Sequence, residues 1–184
     1  CGSGGTAAGI TVGMGLAFES EIFQSKPIVH AMGVCDSPDY FYNYVAGIAD
    51  EMGLVVVDGM TTEDYIRKNM IAHQGKGLGY AASTPEELDF ISTLALETGV
   101  VLDPVYSGKA LYHFFTTVLE GDEAESYRGK NILFWHTGGA LGMFDKADDL
   151  LSTMGRISPV KRLDIYGKGG TNSIDVSSSN DNDG

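Results

Sequence analysis

The chain has 184 residues, 43% of them hydrophobic and 20% charged, the composition of a folded domain with a real core rather than of a disordered polymer. Twelve basic against 25 acidic residues give a formal net charge of −13, which argues against nucleic acid and anionic membranes as partners, since both demand clustered Lys and Arg. Two cysteines, Cys1 and Cys35, are too few for a disulfide framework or a four-cysteine zinc site, and the histidines show no metal-ligand spacing, so no metal is expected.

Residues 1–18 are uncharged, but six glycines and three Ser or Thr residues among them argue against a membrane span, and a helix is predicted to open near Gly4. Residues 27–34 (PIVHAMGV) read as a strand. Ser37-Pro38 then supplies an N-cap and a first-turn proline for a helix over 38–52, which Gly53 stops. Residues 54–58 (LVVVD) read as the next strand. Thr84-Pro85-Glu86-Glu87 is a capping box that opens a helix ending at Gly99. A short strand over 100–102, a turn over DPVYSGKA and a helix through about Leu119 follow. Residues 131–135 (NILFW) predict a further strand, succeeded by HTGGALGMF and a helix near 146–154.

Such alternation predicts an α/β fold, a parallel sheet with helices on both faces. The first helix has no strand before it, so the chain reads as the C-terminal part of a larger protein, with its domain over 1–166. Residues 167–184 are rich in Gly, Ser, Asn and Asp and read as a disordered acidic tail.

In an open parallel sheet, ligands sit beyond the carboxyl ends of the strands, and the segments 2–6, 103–109 and 136–139 all occupy such ends. In the first, the glycines let backbone N–H groups face one anion at a helix start, with Ser3 and Thr6 adding hydroxyl donors. The same loop can also be a tight turn with nothing bound. It further fits a dinucleotide fingerprint, Gly2-x-Gly4-x-x-Ala7, with Asp36 as the acid, although Asp36 lies beyond the usual spacing of roughly 20 residues.

In the second segment, Pro104 and Gly108 shape a turn that projects Tyr106 and Ser107 over the rim. The plainer alternative makes Tyr106 a core aromatic and Lys109 a solvated surface cation, set against the dipole at a helix start. In the third, Thr137 can bond a ring nitrogen while Gly138 and Gly139 permit close approach; it can equally be a satisfied strand end. Tyr80 sits in a Gly-rich loop before the capping box, either facing the site or lying on the surface.

Taken in order, GSGGTAAG, GLGYA, LDPVYSGKA and HTGGALG resemble the C-terminal half of the D-cysteine desulfhydrase family, over residues 1 to about 163. VHAMGVCDSPDYFY and KGLGYAASTPEEL are most similar to its plant-type branch. The resemblance implies a tryptophan-synthase-β-like fold that binds pyridoxal 5'-phosphate (PLP), is related to aminocyclopropane-carboxylate deaminase, and acts on a small amino acid as an intracellular homodimer, in the cytoplasm or the mitochondrion. It implies that Gly2, Ser3, Gly4, Gly5 and Thr6 form the phosphate loop, that Thr137 and Gly138 stand near the pyridine nitrogen, and that Tyr106 and Tyr80 are catalytic phenols beside the ring and the substrate. Where the deaminases carry Glu after the matched Tyr, this chain has Ser107, whose implied place is against the cofactor and whose neutral hydroxyl favours β-elimination of D-cysteine to sulfide, pyruvate and ammonia.

The family's Schiff-base lysine lies in an SGNK-type motif absent from this sequence, so the chain alone is expected to be catalytically incomplete. Deamination of the cyclopropane amino acid, nicotinamide-dependent oxidoreduction and a non-catalytic scaffold are the alternatives.

Overall fold

A computed structural model describes residues 1–57 and 59–150. The predicted helix beyond 150, the domain limit at 166 and the tail at 167–184 lie outside them. Helix α1 (Gly5–Glu19) opens behind Gly4, whose φ of 76° belongs to the left-handed region open to glycine. Strand β1 (Val29–Gly33) leads to α2 (Pro38–Glu51), where the Ser37 hydroxyl accepts the Tyr40 N–H at 3.2 Å. Helix α3 (Thr62–Asn69) starts with a reciprocal box between Thr61 and Asp64 and runs directly into β2 (Met70–Gln74). Helix α4 (Pro85–Thr98) begins with the Thr84–Glu87 box and ends at Gly99. Helix α5 (Ser107–Phe114) continues as a π-helical turn, Phe115–Leu119, and 3-10 turns follow at Ala124–Tyr127 and Ala140–Lys146.

β1 and β2 pair in parallel, Val29 opposite Met70 and Gly33 opposite Gln74, with α2 and α3 as the crossover. Side-chain alternation sends Val29, Ala31, Met70 and Ala72 to one face, against Ala8 and Val12 of α1, Val45 and Ala49 of α2, and Ile66 of α3. On the other face Met32 packs on Phe114, the last residue of α5, and on Val118 of the π-helical turn. A separate cluster of Leu88, Ile91, Leu102 and Leu150 joins α4 to the turn before α5. Helices therefore cover both faces of a parallel sheet, as the alternation predicts. Among the described residues no helix is long and apolar enough to cross a membrane.

Three predicted strands do not form. Residues 54–57 make no ladder; Leu54 and Val56 rest on the core while Val55 and Val57 are 82% and 68% exposed. The two-residue alternation is that of a strand, but a strand also needs a neighbour's N–H and C=O groups. Residues 100–102 likewise stay outside the sheet, with only Leu102 buried, and 131–135 lie exposed throughout. Conversely, α3 and β2 escape the sequence reading, because Thr61-x-x-Asp64 is a weaker box signal and MIAHQ follows its helix with no break residue.

Candidate active site

The segment 103–109 is where the predicted motifs meet. Asp103 is buried, and its carboxylate is the acceptor that shapes the turn: Oδ2 takes the N–H groups of Val105 (2.9 Å) and Tyr106 (2.6 Å), while Oδ1 takes the N–H (2.7 Å) and hydroxyl (2.6 Å) of Ser107. Ser107 is the first residue of α5 and Tyr106 its N-cap, so Asp103 takes donors at the helix start that have no intrahelical partner and meets the positive end of its dipole. Ser107 also accepts the Asp103 N–H at 3.0 Å, so its buried hydroxyl is engaged as donor and as acceptor within the turn and is not free to donate to a cofactor, as the resemblance implied.

The turn places Tyr106 in two contacts at once. A Cβ added at Gly2 would come within 2.7 Å of its ring, so Gly2 lies directly against it. Its phenol shares a 2.5 Å hydrogen bond with that of Tyr80, ring centroids 5.9 Å apart. This bond, with burial second, pushes the Tyr106 phenol up to about 12. Tyr106 and Tyr80 are 41% and 57% exposed, so Tyr106 is no core aromatic and both phenols remain open to a ligand.

The start of α1, beside them, is built differently. Gly4 provides no side-chain cap, the first turn holds no acid, and the helical bonds begin with Ala8 N–H to the Gly4 carbonyl at 2.8 Å. The N–H groups of Gly5, Thr6 and Ala7 precede that bond. Ser3, Gly5 and Thr6 are exposed, and a Cβ at Gly5 would meet nothing within 4 Å. Below the loop, Cys35 Sγ donates to the Gly2 carbonyl at 3.4 Å and Val34 N–H donates to the Cys1 carbonyl at 3.2 Å. The loop is thus anchored just past the carboxyl end of β1.

The third motif also touches this turn. Gly139, at φ 98°, approaches the Asp103 carboxylate so closely that a Cβ would sit 3.0 Å from Oδ1. Thr137 is exposed, and the Gly138 N–H donates to His136 Nδ1 at 3.3 Å. Asp36, the acid of the dinucleotide reading, accepts the N–H of Ser37 at 2.7 Å within its own turn.

Two groups lie beyond what the sequence reading found. Lys109 is buried rather than solvated: its Nζ donates to the carbonyls of Lys76 (3.1 Å), Gly79 (2.9 Å) and Ala82 (2.5 Å) and stands 3.7 Å from Glu87, which also binds His113 at 2.9 Å. The short side of that signal was visible, since Glu87 belongs to the capping box, but the carbonyl partners come from a loop 27 to 33 residues away. His30 and His73, on the paired strands, stack at 5.1 Å with Nδ1 and Nε2 2.8 Å apart; burial, then the neighbouring ring, lowers His30 to about 4. Among the described residues no group of three or more His, Cys, Asp or Glu side chains could hold a metal ion.

No protein-family model matches the chain. It is 44% identical over 165 residues to the mitochondrial bifunctional D-cysteine desulfhydrase/1-aminocyclopropane-1-carboxylate (ACC) deaminase of Arabidopsis thaliana, an alignment covering 90% of this chain and 36% of that protein. The crystal structure of an ACC deaminase homologue superposes with a TM-score of 0.61 at 28% identity, over 83% of this chain and 42% of the other. The chain thus spans about two-fifths of the length of the proteins it matches. It is a homologue of the D-cysteine desulfhydrase and ACC deaminase proteins, and it shares their α/β fold over that part of their length.

Proposed function

We propose that this chain supplies the phosphate cradle and two active-site phenols of a PLP-dependent lyase whose favoured reaction is β-elimination of D-cysteine. One observation carries the reading: Tyr106 touches both Gly2, in the loop that opens the uncapped helix α1, and Tyr80. The residues present fit the group. The free first-turn N–H groups, the hydroxyls of Ser3 and Thr6 and the open space at Gly5 suit a phosphate, and the Tyr106 ring beside Gly2 suits a planar neighbour. When bound, PLP supplies the electron sink that labilises bonds at the α-carbon of an amino acid.

The chain's own residues then have distinct tasks. Ser3, Gly4, Gly5 and Thr6 bind and orient the phosphate end. One O–H serves the bond between the two phenols, so the other is free to donate to a substrate atom, and at neutral pH Tyr106 keeps its proton. Ser107 directs its O–H to Asp103, so it gives no proton to a ring nitrogen nearby. A weaker sink is sufficient when a good leaving group departs from the β-carbon, whereas opening a cyclopropane ring demands more.

The test is to assay the full-length, PLP-loaded enzyme with both substrates. Sulfide and pyruvate from D-cysteine should exceed ketobutyrate from ACC. The opposite order would replace the desulfhydrase reading with the deaminase one, and absence of a PLP chromophore would remove both.

A further inference from the structure

We propose that Lys109 is a positioning residue, whose buried ammonium gathers the carbonyls of Lys76, Gly79 and Ala82 and thereby fixes the loop that presents Tyr80 to Tyr106. Besides Lys109 and the Tyr80–Tyr106 bond, the loop is held by two turn bonds of its own, Gly79 N–H to the Lys76 carbonyl at 3.0 Å and Ala82 N–H to the Gly79 carbonyl at 3.3 Å, and by the Ser83 hydroxyl on the Pro104 carbonyl at 3.3 Å. Leu78 and Tyr80 are 71% and 57% exposed, so apolar burial does not anchor its tip. Its backbone instead curls around one point: Gly77, Gly79 and Ala81 all have positive φ (56°, 138° and 57°), and the carbonyls three residues apart, at 76, 79 and 82, converge on Nζ. Ala81 adopts a conformation that its Cβ disfavours, so something must stabilise the curl.

Three carbonyl acceptors match the three N–H donors of one ammonium, with none left over. Glu87, at 3.7 Å, offsets the buried charge while it holds the Thr84 N–H at 2.9 Å and His113. The same lysine sits two residues after Ser107, on the helix whose start carries Tyr106. Lys109 therefore ties the two phenols' supports together: α5 from one side and the 76–82 loop from the other. With its donors so engaged, Nζ is a structural cation here and no nucleophile.

The consequence for catalysis rests on the proposed role of Tyr80, but the clamp itself does not. Amide hydrogen exchange over residues 76–84 in the full-length, PLP-loaded enzyme separates the two. Lys109→Met should speed exchange there at least tenfold while most of α4 keeps its protection, and Tyr80→Phe should leave the loop protected. In the kinetics, K109M and Y80F should each lower kcat more than they raise KM, and the double variant should fall within about twofold of K109M alone, because Lys109 acts through Tyr80.

Should K109M fail to fold, K109M/E87Q removes both charges of the pair and poses the same question. Unchanged loop exchange in the folded variant, or losses of kcat that multiply, would overturn the clamp. So would failure of both Lys109 variants to fold while Y80F folds, since Lys109 would then serve the core at large. An unaffected kcat in Y80F would instead remove the catalytic role of Tyr80 and leave the exchange result to judge the clamp.

Discussion

Helices α1 and α5 begin beside each other, Gly2 resting on Tyr106, yet their N-termini are finished in opposite ways. Asp103 takes the N–H groups at 105, 106 and 107 into one buried carboxylate, and its own carbonyl takes that of Gly108. α1 follows a glycine, with no capping side chain and no acid in its first turn. Elsewhere Ser37, Thr61 and Thr84 close α2, α3 and α4, each with an acidic residue in the first turn. A helix start left open among closed ones does not by itself identify a ligand. Beside two exposed phenols, in a homologue of D-cysteine desulfhydrase and ACC deaminase proteins, it is the end to which the proposed function assigns a phosphate group.

The contrast breaks most sharply at Asp103. Asp103→Ala leaves three backbone donors and the Ser107 hydroxyl without their acceptor in a buried turn, and the loss of stability should be about 3–5 kcal/mol. Chemical denaturation of the folded protein reads this as a lower midpoint at unchanged slope. A loss below about 1 kcal/mol would mean that water replaces the carboxylate easily and that α5 is not closed in the sense argued here.

The next test closes the open end instead. Thr6 is exposed on the first turn of α1, so Thr6→Asp places a carboxylate near its free N–H groups. Without cofactor the variant should be unchanged or more stable by up to about 0.5 kcal/mol, because an acid there complements the dipole. With cofactor the same charge opposes a phosphate, and retention of PLP should fall at least tenfold in a fluorescence titration. A variant that is less stable yet binds PLP normally would show that these N–H groups are not the cradle.

How much of this was legible in the sequence follows the same division between local and distant partners. The Thr84–Glu87 box and the Ser37-Pro38 start were readable because donor and acceptor lie within four residues. The meeting of three motifs at the 103–109 turn was expected on a wrong ground: 100–102 and 131–135 form no strand, so it is Gly2 against Tyr106 and Gly139 against Asp103, rather than strand ends on one rim, that bring the segments together. Lys109 was not readable: judged locally, it is a cation against a helix dipole, and only the carbonyls of a distant loop make its burial tolerable. The runs at 54–57 and 131–135 failed for a related reason. Their apolar pattern is a property of the segment, whereas a strand is a relation between two segments, and among the described residues only β1 and β2 satisfy each other.

The smallest effect concerns the bond between the two phenols. In the fold Tyr106 holds its proton to about 12, first because of the Tyr80 hydrogen bond and then through burial, against about 10 in the unfolded chain. A raised folded value means that the native state binds the proton more tightly, so this contribution is whole below pH 10 and lost as pH rises toward 12. Tyr106 is 41% exposed, and after allowance for solvent screening the amount should not exceed about 1 kcal/mol. Thermal midpoints of the parent and of Tyr80→Phe, followed from pH 9 to 12, isolate it. Tyr65 and Tyr127, whose values are also raised chiefly by burial, titrate in both proteins and cancel in the difference. The parent should lose about 2 °C more than the variant across that range. Parallel curves would mean that the phenols are apart in solution, leaving Gly2 as the nearer neighbour of Tyr106 and making the open end of α1, rather than the tyrosine pair, the feature that organises the site.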